Sequence, residues 1–206
     1  MSLTPSLGFL NECDLPYTAL LESEWRAVRS ELEQLAASQF TPWPETTLYT
    51  SGWDVFGLLA FGQCVPANCA LCPVTLQLLR RIEALTSLKI STAGFSCLAP
   101  GVVITPHTGY HGYSDRIFRV HLALIVPSDG DCALHVAGVT KAWQEGRVLA
   151  FDDTSMHEAW NRGSTSRVVL LLDIEREPGS LSDVAPSFTA ELANLLQSTS
   201  VNATDE

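Results

Sequence analysis

Nowhere in the 206 residues do apolar side chains run unbroken for the roughly 18 positions a membrane-crossing helix needs. No internal repeat or low-complexity linker divides the chain either. A membrane is therefore not an expected partner, and one domain is expected rather than several. Basic residues are scarce: 12 Lys and Arg stand against 23 Asp and Glu, a formal charge of −11. Such a chain repels phosphate backbones and anionic headgroups, which excludes nucleic acid as an expected partner. The stretch Met1 to Glu12 lacks the basic segment and long apolar run of a secretory signal, so the expected compartment is the cytoplasm. No second C-x-x-C accompanies Cys69-Ala-Leu-Cys72, which argues against a zinc ribbon. The six cysteines of a cytoplasmic chain are expected as thiols, with a disulfide among Cys64, Cys69 and Cys72 as the alternative.

What is present suits a folded domain. Hydrophobic residues make up 46% of the chain, too many for a disordered one. From Leu20 they recur as Leu21, Trp25, Val28, Leu32 and Leu35, a three-four spacing that predicts an amphipathic helix over Ala19–Gln39, ended by Pro42 and Pro44. A shorter helix is expected over Leu76–Leu85. Beyond residue 87 the texture changes to short β-branched and aliphatic runs: Leu88–Leu98, Ile117–Pro127, Cys132–Val136, Arg147–Phe151 and Ser166–Glu175. Turn signals such as Pro100-Gly101, Gly130-Asp131 and Glu145-Gly146 punctuate them. Many short strands with tight turns predict a sandwich or jelly roll. The expected fold is α+β and mainly β: a cupin-like double-stranded β-helix supported by N-terminal helices and closed by a short C-terminal one. As a single domain it runs over 1–198, with helical support at 15–86, the jelly-roll core at 87–178, a helix over Pro186–Ser198 and a frayed tail at 199–206.

All five histidines lie between positions 107 and 157, in the strand-rich half. His107 and His157, fifty residues apart, sit beside turn residues at predicted strand edges. Imidazole suits iron, and two histidines on neighbouring jelly-roll strands can converge on one metal. Ten residues past His157, Arg167 opens the aliphatic strand Val168-Val-Leu-Leu-Leu-Asp173. A guanidinium in such a strand is expensive to bury unless it meets an anion, and a carboxylate held by two hydrogen bonds is the natural one. Singly, each residue also fits a plain structural role: a hydrogen-bonded histidine, a surface or ion-paired arginine. The order of the three matches Fe(II)/2-oxoglutarate dioxygenases.

Within that superfamily the chain resembles the aspartyl/asparaginyl β-hydroxylase family, from about residue 15 to 178. The resemblance is carried by Pro106-His107-Thr-Gly109, Arg119-Val-His121-Leu122, Ile125-Val-Pro127, Trp143-Gln-Glu-Gly146, Phe151-Asp-Asp153, His157-Glu-Ala-Trp160 and Arg167. Upstream, Trp53-Asp-Val-Phe56 and Cys69-Ala-Leu-Cys72-Pro73-Val-Thr75 also resemble it.

The resemblance implies an Fe(II) centre held by His107 and His157, with 2-oxoglutarate and O2 as co-substrates. Arg167 and Ser96 would bind the far carboxylate of 2-oxoglutarate. Arg119 and His121 would face its metal-proximal end or a carboxylate of the substrate, and Asp153 would orient a water beside the metal. Most enzymes of the superfamily add a carboxylate ligand two residues after the first histidine; here that position is Gly109, as in the β-hydroxylase branch, and Asp115 is a poor substitute. Trp143 and Trp160 read as core, and His111 and His135 as structural or surface residues.

The implied activity is hydroxylation of an unactivated C–H bond, at the β-carbon of an aspartyl- or asparaginyl-like amino acid, a peptide residue or a small amino-acid-derived metabolite. The alternatives are cyclisation, desaturation or halogenation at the same iron, or a jelly-roll module that binds without turnover. The segments Ser38–Gly52 and Asp115–Ile117 are expected to border a small-molecule or peptide substrate. The sequence leaves oligomeric state undetermined.

Overall fold

The computed structural model describes residues 8–182, so the helix expected over Pro186–Ser198 and the tail at 199–206 lie outside the described residues. The first half contains helix α1 (Thr18–Leu32), strands β1 (Thr41–Pro42), β2 (Trp53–Ala60) and β3 (Gln63–Cys64), and helices α2 (Pro66–Leu71) and α3 (Pro73–Thr86). Eight strands follow: β4 (Ile90–Leu98), β5 (Val103–His107), β6 (Ile117–Ile125), β7 (Cys132–Val136), β8 (Val139–Ala142), β9 (Val148–Phe151), β10 (His157–Asn161) and β11 (Arg167–Glu175). They form a double-stranded β-helix. A seven-stranded antiparallel sheet runs β1-β2-β4-β11-β6-β9, with β3 on β2, and a four-stranded sheet runs β5-β10-β7-β8.

Strand β11 explains the layering. All nine of its residues are buried, and its near-continuous apolar run is that of a strand covered on both faces. Val168, Leu170, Leu172 and Ile174 pack with Leu21, Val28, Leu79 and Ile82 of α1 and α3. Val169 and Leu171 pack with Leu134, Val136 and Ala159 of the small sheet. The odd-numbered side chains of β11 therefore point between the sheets, and Arg167 and Asp173 are among them.

The helices differ from expectation at their ends. Helix α1 stops at Leu32, well before the prolines: Arg29 in its last turn is held by Glu33 at 2.8 Å and Glu145 at 2.9 Å. Leu35 reaches the same core from the following turn, so the apolar spacing outlasts the helix. Helix α3 starts early, at Pro73, whose fixed φ suits a first turn. Glu31 of α1 accepts hydrogen bonds from the Val74 and Thr75 N–H groups at 2.7 and 2.8 Å, placing a carboxylate at the positive end of the α3 dipole.

Between β3 and α2, Cys64 and Cys69 are paired as a disulfide, where thiols are the sequence expectation. Pro66 turns the chain into α2 and returns Cys69 beside β3. Cys13, Cys72, Cys97 and Cys132 are free. Among the described residues no helix is long and apolar enough to cross a membrane.

Candidate active site

Strands β5 and β10 pair antiparallel with His107 opposite His157. The two rings lie 4.1 Å apart, centroid to centroid. Each imidazole is held by the same local device: His107 Nδ1 lies 2.8 Å from the Thr105 carbonyl, and His157 Nδ1 lies 2.8 Å from the Ser155 carbonyl. A carbonyl can only accept, so each Nδ1 carries the proton and each Nε2 keeps a lone pair. Burial drives the pKa of His157 down to about 4, against the opposing pull of the Asp153 carboxylate. The ring is therefore neutral near pH 7, the form that binds a metal.

Gly109 follows on the same segment. A side chain there would overlap the Asp153 carboxylate and the Ser114 hydroxyl. Asp153 is thus the group that fills the space behind the histidine pair. Its Oδ2 accepts from Ser114 Oγ at 2.5 Å; its Oδ1 is 2.8 Å from Arg119 Nη1, in an ion pair without hydrogen-bond alignment, and 3.6 Å from His157 Nε2. Burial alone would raise the pKa of Asp153, but Arg119, the histidines and Ser114 outweigh it and hold the group below the ordinary carboxylate value. Asp115, by contrast, is exposed and pairs with Arg116. Among the described residues no cluster of three or more His, Cys, Asp or Glu is arranged around a metal position. The donor set is two imidazoles, each with Nδ1 held by a backbone carbonyl, and an ionised carboxylate behind them. That set fits a divalent iron with two protein side-chain ligands.

Below the histidines lies an inner cavity lined by Trp53, Ser96, His121, Phe151, Arg167 and Leu171, among others. Arg167 is 2% exposed. It donates to the Ser96 carbonyl at 3.2 Å, its guanidinium stands 4.5 Å above the Trp143 ring, and among the described residues it forms no ion pair. Its Nε has no hydrogen-bond partner. Burial pulls its pKa down to about 10, which still leaves it charged near pH 7. Ser96 Oγ accepts the Trp53 indole N–H at 3.0 Å and keeps its own proton to donate. His121 is buried with neither ring nitrogen partnered, and burial pushes its pKa well below the usual value, so it is neutral. An unpaired buried cation beside spare donors is suited to receive an anion.

Arg119 lines both the mouth and the inner cavity beside His107. Its guanidinium is committed to two buried carboxylates: Nε and Nη2 donate to Asp173 at 2.8 and 3.0 Å, and Nη1 faces Asp153. It acts as a clamp between them. Asp173, not among the candidate site residues of the sequence, sits on the Arg167 face of β11, and alternation along that strand is the signal that places it there. The Tyr113 hydroxyl donates to Asp173 Oδ2 at 3.1 Å.

The segment Ser38–Gly52 does border the site. Trp43 stacks on Trp53 at 4.7 Å, and Trp43, Pro44 and Glu45 line the mouth together with His107 and Asp153. Asp115–Ile117 does not line it; Tyr110 and Tyr113 do. Trp143 is buried, as expected, with its ring under the Arg167 guanidinium. Trp160 is not core: it is half-buried, and its indole N–H donates to Asp131 at 2.7 Å. His111 is exposed, and His135 pairs with Thr140 away from the site.

The sequence profile of the aspartyl/asparaginyl β-hydroxylase family matches residues 22–177. The ornithine lipid ester-linked acyl 2-hydroxylase of Rhizobium tropici is 36% identical over 168 residues, covering 77% of this chain and 57% of that protein. The aspartyl/asparaginyl β-hydroxylase of Homo sapiens is 32% identical over 164 residues, 77% of this chain and 21% of that protein. The chain thus spans about half of one curated relative and about a fifth of the other. Among solved structures, a 2OG-Fe(II) oxygenase family protein from Burkholderia pseudomallei superposes with a TM-score of 0.52 at 15% identity, over 76% of this chain and 79% of that one. A prolyl hydroxylase from Trichoplax adhaerens gives 0.52 at 13% identity, over 80% and 82%. These two share the fold.

Proposed function

We propose, since the chain belongs to the aspartyl/asparaginyl β-hydroxylase family, that it is an Fe(II)/2-oxoglutarate-dependent dioxygenase hydroxylating an unactivated C–H bond. The observation that carries this reading is the His107–His157 pair: two register partners, each with Nδ1 tied to a backbone carbonyl and Nε2 left to bind. When bound, the iron and 2-oxoglutarate would supply oxygen activation, coupling loss of CO2 and formation of succinate to oxidation of the substrate.

The chain's own residues bind, orient and exclude water. His107 and His157 would hold the metal. Arg167 is a ready partner for the distal carboxylate of 2-oxoglutarate, its guanidinium fork being suited to two parallel hydrogen bonds, with the Ser96 hydroxyl as a second donor. His121, neutral and unpartnered, offers a hydrogen bond nearer the metal. Arg119, clamped by Asp173, holds Asp153 ionised beside the metal position, where one oxygen can accept from a water. Trp43, Trp53 and Phe151 shield the centre with apolar surface.

The human relative is named for aspartyl and asparaginyl β-hydroxylation, the R. tropici relative for 2-hydroxylation of a lipid acyl group. Arg119, the residue best suited to an acidic side chain, already has its charge balanced by two aspartates, which favours the less charged substrate. We place the activity in the cytoplasm, without nucleic acid or membrane as a partner. The test is incubation of protein, Fe(II), 2-oxoglutarate and O2 with a panel of amino acids, peptides and acyl amphiphiles. Stoichiometric succinate and a product heavier by one oxygen support the reading; no succinate from any member overturns it. A desaturated, cyclised or chlorinated product would replace hydroxylation by another fate of the same oxidised carbon.

A further inference from the structure

The face of the large sheet that carries Ser96, Arg167 and His121 continues past them to an apolar groove. Register fixes the path. Gly57 of β2 lies opposite Gly94 of β4, Gly94 opposite Leu171 of β11, and Leu171 opposite His121 of β6. This one row runs across four strands, roughly 14 Å at about 4.8 Å per strand. At its far end the groove is bounded by Trp43, Val55, Leu59 and Val65. Trp43 and Thr92 also line the mouth beside His107, and Leu171 also lines the inner cavity, so groove and site share walls.

The two glycines are not equivalent. A side chain at Gly94 would strike the Phe56 carbonyl, so close strand packing explains that residue. A side-chain carbon at Gly57 would meet nothing within 4 Å, and its φ is not in the left-handed region. Glycine inside a strand weakens it and often marks where another group approaches closely. On the side where a Gly57 side chain would stand, no described protein atom does.

We propose that the groove takes the unbranched hydrocarbon chain of the substrate, which enters past Trp43 and lies over Gly57 while its oxidised carbon sits at the histidine pair. The inference rests on the oxygenase reading of that pair. No charged residue lines the groove, and three of its polar side chains are already engaged: Thr41 donates to the Val55 carbonyl, Asn68 to the Gly57 carbonyl, and Thr92 pairs with Tyr113, while Ser38 and Gln39, which also line it, are exposed. A peptide laid there would bury amides without partners, at a cost a hydrocarbon avoids.

The test uses Mn(II)-loaded protein and alkylphosphocholines of six, eight and ten carbons below their micellar concentrations, with affinities read by calorimetry. Each added methylene should tighten binding by about fourfold. Gly57→Ala should blunt the chain-length dependence and Gly57→Leu should abolish it, with Mn(II) affinity unchanged in both. Affinity independent of chain length in the wild type overturns the proposal. So does a folded Gly57→Leu protein that keeps the dependence, or a Gly57-sensitive site that takes an apolar hexapeptide and not the amphiphiles. If Gly57→Leu does not fold, Gly57→Ala decides. Absence of Mn(II) binding in the wild type would sink the oxygenase reading instead, and the chain-length series is read separately from it.

Discussion

The Asp153 carboxylate occupies the volume that a side chain at Gly109 would need. A negative group near the histidine pair is thus supplied from the loop before β10 rather than from the segment after β5, and the two positions exclude one another. Gly109→Asp should therefore destabilise the fold by about 1–3 kcal/mol through overpacking and weaken Mn(II) binding. Combining it with Asp153→Gly should recover part of both losses. Denaturant melts and Mn(II) titrations of the two single variants and the double variant check this. Additive losses in the double variant would show that the positions do not compete.

His107→Ala and His157→Ala should each weaken Fe(II) or Mn(II) binding by more than about a hundredfold, beyond the 10–100-fold typical of residues that only support ligands. The fold should survive, because neither ring belongs to either apolar core. Calorimetric titration with circular dichroism as control reads both parts.

Arg167 couples function to instability. Arg167→Ala should cost 2-oxoglutarate binding about 2–5 kcal/mol, the scale for removing one partner of a buried charge pair, and leave Mn(II) binding nearly intact. Ser96→Ala should cost about 1 kcal/mol. In the absence of co-substrate the guanidinium is buried without a counter-charge, so Arg167→Met should raise the stability of the metal-free protein, by about 1–4 kcal/mol if it follows replaced buried ion pairs. A lower Tm for Arg167→Met would identify the arginine as structural.

The pH dependence follows from His157. Its pKa is about 4 in the folded protein against 6.5 for the unperturbed ring, so between those values the unfolded chain binds a proton the native state refuses. Stability of the metal-free protein should fall as pH drops from 6.5 to 4, by on the order of 3 kcal/mol, and this contribution should level off below 4. His157→Gln should flatten that part of the curve. Urea unfolding at half-unit intervals measures it.

The two histidines and Arg167 are legible because each breaks its surroundings: polar groups beside turns, a cation heading an aliphatic strand. Asp173 breaks the same strand six residues on, and the period-two alternation that sends Arg167 between the sheets sends Asp173 there as well. Its partnership with Arg119 lies in the β6–β11 register, which no local pattern encodes. Strand β2 is hidden for a related reason: residues on both of its faces are buried, and Gly57 interrupts the run. Trp160 misleads through its aliphatic neighbours, although alternation along β10 turns His157, Ala159 and Asn161 inward and Trp160 out. Helix α1 is overextended because apolar spacing reports which side chains reach the core, and Leu35 reaches it from a turn.

The central claim is that His107 and His157 form one metal site served by a co-substrate anchored on Arg167. Anaerobic titration of 2-oxoglutarate into Fe(II)-loaded protein tests it most directly, by the visible charge-transfer absorption that a 2-oxo acid gives on chelating Fe(II). The wild type should develop the band and saturate. His157→Ala should not develop it, and Arg167→Ala should need far more 2-oxoglutarate to reach the same intensity. No band in the wild type, or equal titrations in all three proteins, would contradict the claim.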